Sequence, residues 1–332
     1  MRKTMLLLPV LLFCGFIVHR CVSAETQGCK QRGFCITRHN LWPIKATEER
    51  YKDGKAHGLW TYWDHNGKKY KEGYYQYDKK HGLWTYWYEN FREEGPYQYD
   101  KRHGLWIRWD KNGKKSEEIH YQDDKPHVRV YWNKNGKKRA EEHYQDGKRN
   151  AWITYSNGKK SEETHYKDGK KHGLWIEWNE NGKKREEGHY QDDKKQGLWT
   201  YWDRNGKKFE EGHYQDGKRQ GLWIRYYSGR KFAEGRYQDD KRQGLWIRWG
   251  ENGKKTGEGY YKDGEEQGLW TYWHENGKKA VEERYQEGKL RLRIKWDRNG
   301  KKFEEGRYHN GERHGLWIEW DENGKEISRK VY

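Results

Sequence analysis

One segment, Gly197-Leu-Trp-Thr-Tyr-Trp-Asp-Arg-Asn-Gly-Lys-Lys-Phe-Glu-Glu-Gly-His-Tyr-Gln-Asp-Gly-Lys-Arg-Gln220, is written again along most of this chain. A fixed internal period decides the architecture first, because so short a unit buries apolar surface only by stacking on its neighbours. The Trp of Gly-Leu-Trp or its counterpart falls at Trp60, Trp84, Trp106, Trp152, Trp175, Trp199, Trp223, Trp246, Trp270 and Trp317, with Arg129 and Arg293 in the same slot. These markers define twelve repeats, 22 to 24 residues apart, over residues 49–332. A second marker, Tyr before an Asp-Gly-type turn, recurs from Tyr51 to Tyr332.

Each repeat offers two strands and two turns. Leu198–Trp202 is aromatic and β-branched, Lys208–Tyr214 follows it, and Asn205-Gly206 and Asp216-Gly217 separate such runs. Asn-Gly and Asp-Gly between strand-forming runs are strong hairpin signals, and Gly in every half-repeat disfavours helix. With these pairs as two-residue loops, Trp199 is predicted opposite Gly212, Trp202 opposite Phe209, and Gly212 beside Gly221. The alternation of strand side chains then gathers Trp199, Tyr201, Gly212, Tyr214, Gly221 and Trp223 on one face. Leu198, Thr200, Trp202, Phe209, Glu211, His213 and Leu222 share the other. A Trp ring over a glycine of the strand that follows it explains the recurring Gly; the pattern recurs for Trp175 with Gly188 and Trp246 with Gly259. It fails for Trp106, which meets Ile119, and Trp270, which meets Glu283.

The fold class is therefore all-β, an elongated array of about twelve antiparallel β-hairpin repeats. Apolar residues are only 31% of the chain against 37% charged, yet there are 21 Trp and 27 Tyr. This excludes a thick aliphatic core and predicts a thin aromatic layer. So many strands exceed what an open sheet carries flat, so a strongly twisted ribbon or an open, shallow solenoid on the order of 100 Å long is expected.

Residues 1–24 read as a signal peptide. Arg2 and Lys3 precede an apolar run from Met5 to Val18, and Val22-Ser23-Ala24 supplies small residues for cleavage. The run is too short for a membrane span. Export to the periplasm, cell envelope or medium follows. Residues 25–48 form an N-terminal cap, in which Cys29 and Cys35, with five residues between them, close a disulfide in an oxidising compartment. The alternative, a metal pair, has no partnering Cys or clustered His nearby.

The motif Tyr-x-Asp-Gly-Lys-x-x-Gly-x-Trp-x-x-Tyr/Trp-x-x-Asn-Gly-Lys, carried by Tyr214, Asp216, Gly217, Gly221, Trp223 and Tyr226, resembles the MORN repeat in its variant from bacterial exported proteins. That variant also names the YwqK-type antitoxin family. The resemblance covers about residues 49 to 332. It implies consecutive hairpins in an elongated sheet, used as scaffolds, as dimerisation surfaces or, in some eukaryotic members, against membrane lipids. A weaker similarity is to aromatic choline- or cell-wall-binding repeats. Some repeats depart from the pattern: Asn90-Phe91 and Pro96 in the second, Pro126-His127-Val128-Arg129 in the fourth, Leu290-Arg291-Leu292-Arg293 in the eleventh. Either these are drift in a redundant array, or they are bends or docking points where Arg129 and Arg293 offer planar guanidinium donors.

No catalytic residue is assigned, and no metal or cofactor. His57, His81, His103, His172 and His314 share one slot, and His120, His143, His165, His189 and His213 another. Residues that recur in register belong to the repeat, whereas a catalytic centre is singular; ladders of these His would be the one route to a metal or a titration near neutrality. Glu pairs such as Glu210-Glu211 alternate faces, and no Walker pattern precedes a helix. The structural set is Trp60, Trp84, Trp106, Trp175, Trp199, Trp223, Trp246, Trp270 and Trp317. The candidate contact set is Trp63, Trp87, Trp109, Trp178, Trp202, Trp249, Trp273 and Trp320. The expected function is an exported, non-enzymatic scaffold that binds a protein partner or self-associates through an aromatic sheet face. The alternative is an envelope-associated binder of anionic lipid or cell-wall glycan, drawing on the net charge of +18 and the Lys-rich turns. Single-stranded nucleic acid also suits aromatics amid positive charge, but the leader counts against it.

Overall fold

The computed structural model describes residues 35–41 and 44–332. The leader over 1–24, Cys29 and its pairing with Cys35 lie outside the described residues. Two compact units divide the chain, Met1–Gly158 and Lys159–Tyr332. All regular elements among the described residues are β-strands, from Cys35–Leu41 to Lys148–Ser156 in the first unit and from Lys159–Lys167 to Glu326–Val331 in the second. Within each unit the strands follow one another as antiparallel hairpins.

Two turns alternate, and they differ in kind. Asp216-Gly217 is a two-residue turn with φ of 52° and 83°, the mirror-image type that suits strand twist. It is also tied to the repeat before it, since the Gly217 amide donates to the Lys195 carbonyl at 2.9 Å. Where Asp replaces Gly at the second position the link is reciprocal. The Asp193 amide donates to the Lys171 carbonyl, and its carboxylate accepts from the Lys171 amide at 2.8 Å. The Asn-Gly turn is longer than the sequence suggests. Residues 203–207 form a five-residue loop in which the Asp203 carboxylate accepts from the Asn205 and Lys207 amides, and the Asp203 amide donates to the Lys207 carbonyl. The register slips by one, so Lys208 and not Phe209 stands opposite Trp202. Phe209 turns instead towards Tyr201, with ring centroids 6.1 Å apart.

A second slip corrects the other predicted pairing. Gln220 pairs with His213, but the next partner of Gly212 is Trp223 rather than Gly221. Gly221 takes φ of 65° and, with Leu222, bulges out of the ladder. Positive φ is what Gly supplies at no steric cost, which accounts for the Gly of Gly-Leu-Trp.

The bulge seats the tryptophan. Trp199 and Gly212 are paired as predicted, yet the rings of Trp84, Trp106, Trp199, Trp223, Trp246, Trp270 and Trp317 each lie over the glycine of the repeat before, whereas Trp175 faces Thr164. A Cβ on Gly212 would meet the Trp223 ring at 2.2 Å, and Gly188, Gly235 and Gly259 hold Trp199, Trp246 and Trp270 in the same way. The two predicted exceptions then disappear, because Trp106 lies over Gly95 and Trp270 over Gly259. Most of these indole N–H groups are satisfied too, as Trp223 Nε1 donates to the His213 carbonyl at 3.2 Å and Trp84 Nε1 to that of Tyr74 at 2.9 Å; that of Trp199 is buried without a partner.

Three repeats lack the bulge glycine, and in all three a side chain occupies the facing slot. Ile119 faces Arg129, Glu142 faces Trp152, and Glu283 faces Arg293. Trp175 keeps its bulge glycine, Gly173, although Thr164 faces it; in the three repeats above both departures meet in the facing slot. Arg129 and Arg293 point into it: Arg293 Nε donates to Glu283 Oε1 at 2.7 Å, and Arg129 Nε lies 3.1 Å from Glu117 Oε1. Both guanidinium groups are ion-paired within the sheet, which counts against the docking reading. Glu283 is buried, so Arg293→Leu, which strands its carboxylate, is expected to cost about 1–3 kcal/mol. Adding Glu283→Leu should recover part of that loss in denaturant melts; equal midpoints for the single and double variants would refute the pairing.

Candidate functional site: two aromatic rows

The inner Trp row is buried. Trp84, Trp199, Trp223 and Trp270 are nearly or fully inaccessible, and Trp60, Trp106, Trp175, Trp246 and Trp317 are buried as well. Tyrosines interleave with them edge to face, the preferred geometry for paired aromatic rings. In the second unit, contacts run without a break through Trp175, Tyr190, Trp199, Tyr214, Trp223, Tyr237, Trp246, Tyr261 and Trp270, with centroids 5.1 to 6.2 Å apart. A cation closes the outer side of several of these Trp: Lys195 lies 3.8 Å from the Trp199 ring and Arg219 4.4 Å from that of Trp223. Its stem shields the ring while its charge faces the π-cloud.

Three phenols along this row, Tyr190, Tyr201 and Tyr272, are held neutral. Burial pushes Tyr190 and Tyr272 up from 10.0 to about 12. Tyr201 is raised by burial and by its hydrogen bond with Tyr214. The folded chain therefore keeps protons that the unfolded chain gives up above pH 10. Their contribution to stability is full below pH 10 and is lost as pH rises from 10 towards 12. Tyrosinate absorbance and β-sheet circular dichroism should change together across that window. Titration centred at pH 10 with the sheet intact would contradict the burial.

The other row is half-exposed. Trp63, Trp87, Trp109, Trp178, Trp202, Trp249, Trp273 and Trp320 are all intermediate in accessibility. Trp132 and Trp296 hold the same slot in the two Arg repeats. The sequence reading omitted them, although the Trp that ends the strand before each Asx loop marks both. From Trp87 onward a basic residue of the preceding repeat lies over the ring, as with Arg92 at 4.2 Å from Trp109, Lys115 at 3.8 Å from Trp132 and Lys302 at 4.7 Å from Trp320. Most of these lysines also pair with the Glu three residues on, as Lys302 does with Glu305 at 2.7 Å. The bulge leucines add exposed apolar surface, among them Leu83, Leu198, Leu222 and Leu269.

Glu210 and Glu211 do part to opposite faces: buried Glu210 pairs with Arg225, and Glu211 with Lys208. Among the described residues no His, Cys, Asp or Glu side chains converge in threes or more as metal ligands. His143 and His165 each contact the Glu two residues before them.

Repeat length, the Gly-bulge-Trp unit and the Asx loop together form a pattern that comparison with known families recognises. The MORN repeat variant matches residues 56–77, 102–123, 171–192, 195–216, 242–263, 266–291 and 313–325. The chain is a MORN repeat variant protein. The repeats outside the match, those of Trp84, Arg129, Trp152, Trp223 and Arg293, are the ones with a shortened loop, a missing bulge glycine or both. As a MORN repeat variant protein it is a repeat scaffold. Comparison with curated proteins returned no match. Among solved structures, S. aureus TarM in complex with Fondaparinux, alpha-GlcNAc-glycerol and UDP aligns over 47% of this chain and 23% of its own, with 10% identity and a TM-score of 0.19. TcdB2-TccC3-Cdc42 aligns over 86% and 17%, with 10% identity and a TM-score of 0.16. The chain spans less than a quarter of either structure's length, and likeness this slight carries no argument.

Proposed function

We propose that this MORN repeat variant protein is an exported, non-enzymatic scaffold that holds a protein partner, or a second copy of itself, through its half-exposed tryptophan face. The observation that carries the reading is the difference between the rows. One Trp row is buried among Tyr, while the other leaves Trp and Leu accessible in most repeats. Trp supplies large rigid contact area at low entropic cost, which suits an interface. Export rests on the apolar leader.

The reading through anionic lipid or glycan is weaker. The stripe lysines face Glu, and several loop lysines bond carbonyls of the next loop, as Lys183 does with Asn205 at 2.7 Å. Charge already paired adds little attraction for a distant anion. The test is light scattering and cross-linking of the full chain, alone and with extracellular protein, beside Trp178→Ser with Trp202→Ser. Association lost in the double variant, with melting retained, is the expected result. Unchanged association, or salt-sensitive sedimentation with anionic vesicles instead, would remove the proposal.

A further inference from the structure

The hairpin turn after Tyr308 departs from the repeat in two places at once. Elsewhere the residue after the marker Tyr is Gln or Lys, as in Gln215 and Lys262, and here it is His309. The first residue beyond the turn is Lys in every other repeat except that of Glu265, and here it is Glu312. Asn310-Gly311 closes the hairpin with φ of 49° and 85°. His309 pairs with Glu312 across it, and Arg307 pairs with His314. Side chains two apart on a strand share a face, so His309, Glu312 and His314 stand together. Tyr308 packs on Trp317 behind them.

The two imidazoles are diagonal neighbours across the ladder, with ring centroids 5.4 Å apart and planes at 46°. Both residues are exposed. No other two histidines are in ring contact among the described residues. His143 and His165 are each tied to a Glu, and His274 to the Trp296 carbonyl. His309 and His314 have no hydrogen-bond partner among the described residues. At a metal–nitrogen distance of about 2.0–2.1 Å, two imidazoles on one ion have ring centres about 5 Å apart. The observed spacing meets that need after a small rotation of exposed rings, which disturbs no packing.

The charges nearby select the kind of ion. Glu312 is balanced by Arg307 on the same face, and Arg313 is held by the Tyr332 hydroxyl at 3.0 Å. Such a balance gives little hold on a hard ion such as calcium or magnesium, which requires several oxygens. It suits an ion bound for its affinity to nitrogen, Cu(II) first and then Ni(II) or Zn(II).

We propose that His309 and His314 chelate one divalent late transition-metal ion, its remaining positions open to water. This is a binding site and not a structural one, whose four protein ligands would close the coordination sphere. It is separate from the partner-binding reading, and the failure of either leaves the other standing.

The test is titration of the untagged full chain with Cu(II), read by electron paramagnetic resonance, and with Zn(II) against a chromophoric chelator. His309→Gln and His314→Gln supply residues that the array already uses in those slots, Gln215 and Gln220, so folding is checked by an unchanged melting temperature. The first equivalent of Cu(II) should show coupling to two imidazole nitrogens. Each single variant should weaken it at least tenfold, and Zn(II) affinity should fall in the same order. His189→Gln with His213→Gln should leave both ions bound as before, and excess calcium or magnesium should displace neither. Absence of the two-nitrogen signal, undiminished binding by the His309 and His314 variants, or loss in the His189 and His213 variant instead would overturn the proposal.

Discussion

Gly212→Ala should destabilise the second unit by about 2–3 kcal/mol, a large effect for one methyl group. The added Cβ would lie 2.2 Å from the Trp223 ring, a distance no rotamer adjustment of a methyl relieves. The ring cannot tilt away freely, because Tyr214 and Tyr237 flank it at 5.2 and 5.7 Å and Arg219 covers it. Its N–H would also leave the His213 carbonyl. Gly217→Ala is the control: its nearest neighbour is a Lys194 carbon at 3.9 Å, but φ is 83°, so about 1 kcal/mol of backbone strain is expected. Because such arrays are stabilised between nearest neighbours, hydrogen exchange should rise first in the repeats on either side of Gly212. A Gly212→Ala variant as stable as the Gly217→Ala control would show that the ring does not sit where the structure places it.

Trp223→Ala is expected to cost about 3–5 kcal/mol, the range for emptying a large aromatic from a packed site. Trp223 is 1% exposed, and the change removes two edge-to-face contacts, a hydrogen bond and the seat for Arg219. Trp202→Ala, on the half-exposed row, should cost only about 1 kcal/mol, since much of its surface already meets water. Urea titration of both variants separates the two roles. Comparable losses would mean that both rows hold the sheet together.

Much of the architecture was legible because the repeat displays it many times. Gly and Asn-Gly at fixed offsets mark turns, and alternation assigns Trp199 and Trp202 to opposite faces without reference to coordinates. What alternation could not reveal were the slips. A bulge at Gly221-Leu222 and another at Phe209 each interrupt strict pairing, and no local residue announces how far a ladder shifts. That is why the hairpin partner Gly212 was matched to Trp199, whereas the ring that covers Gly212 belongs to Trp223. The irregular repeats were visible but unexplained. Losing a bulge glycine and filling the facing slot with Ile119, Glu142 or Glu283 is a coupling across strands, and it becomes readable only once the register is known.

The most direct measurement is residue-resolved oxidative footprinting of the tryptophans in the native full chain. The account predicts protection of Trp84, Trp106, Trp199, Trp223, Trp246, Trp270 and Trp317, with ready modification of Trp87, Trp109, Trp178, Trp202, Trp249, Trp273 and Trp320. Equal reactivity of the two sets, or the reverse order, would contradict the division of the array into a sealed row and an open one.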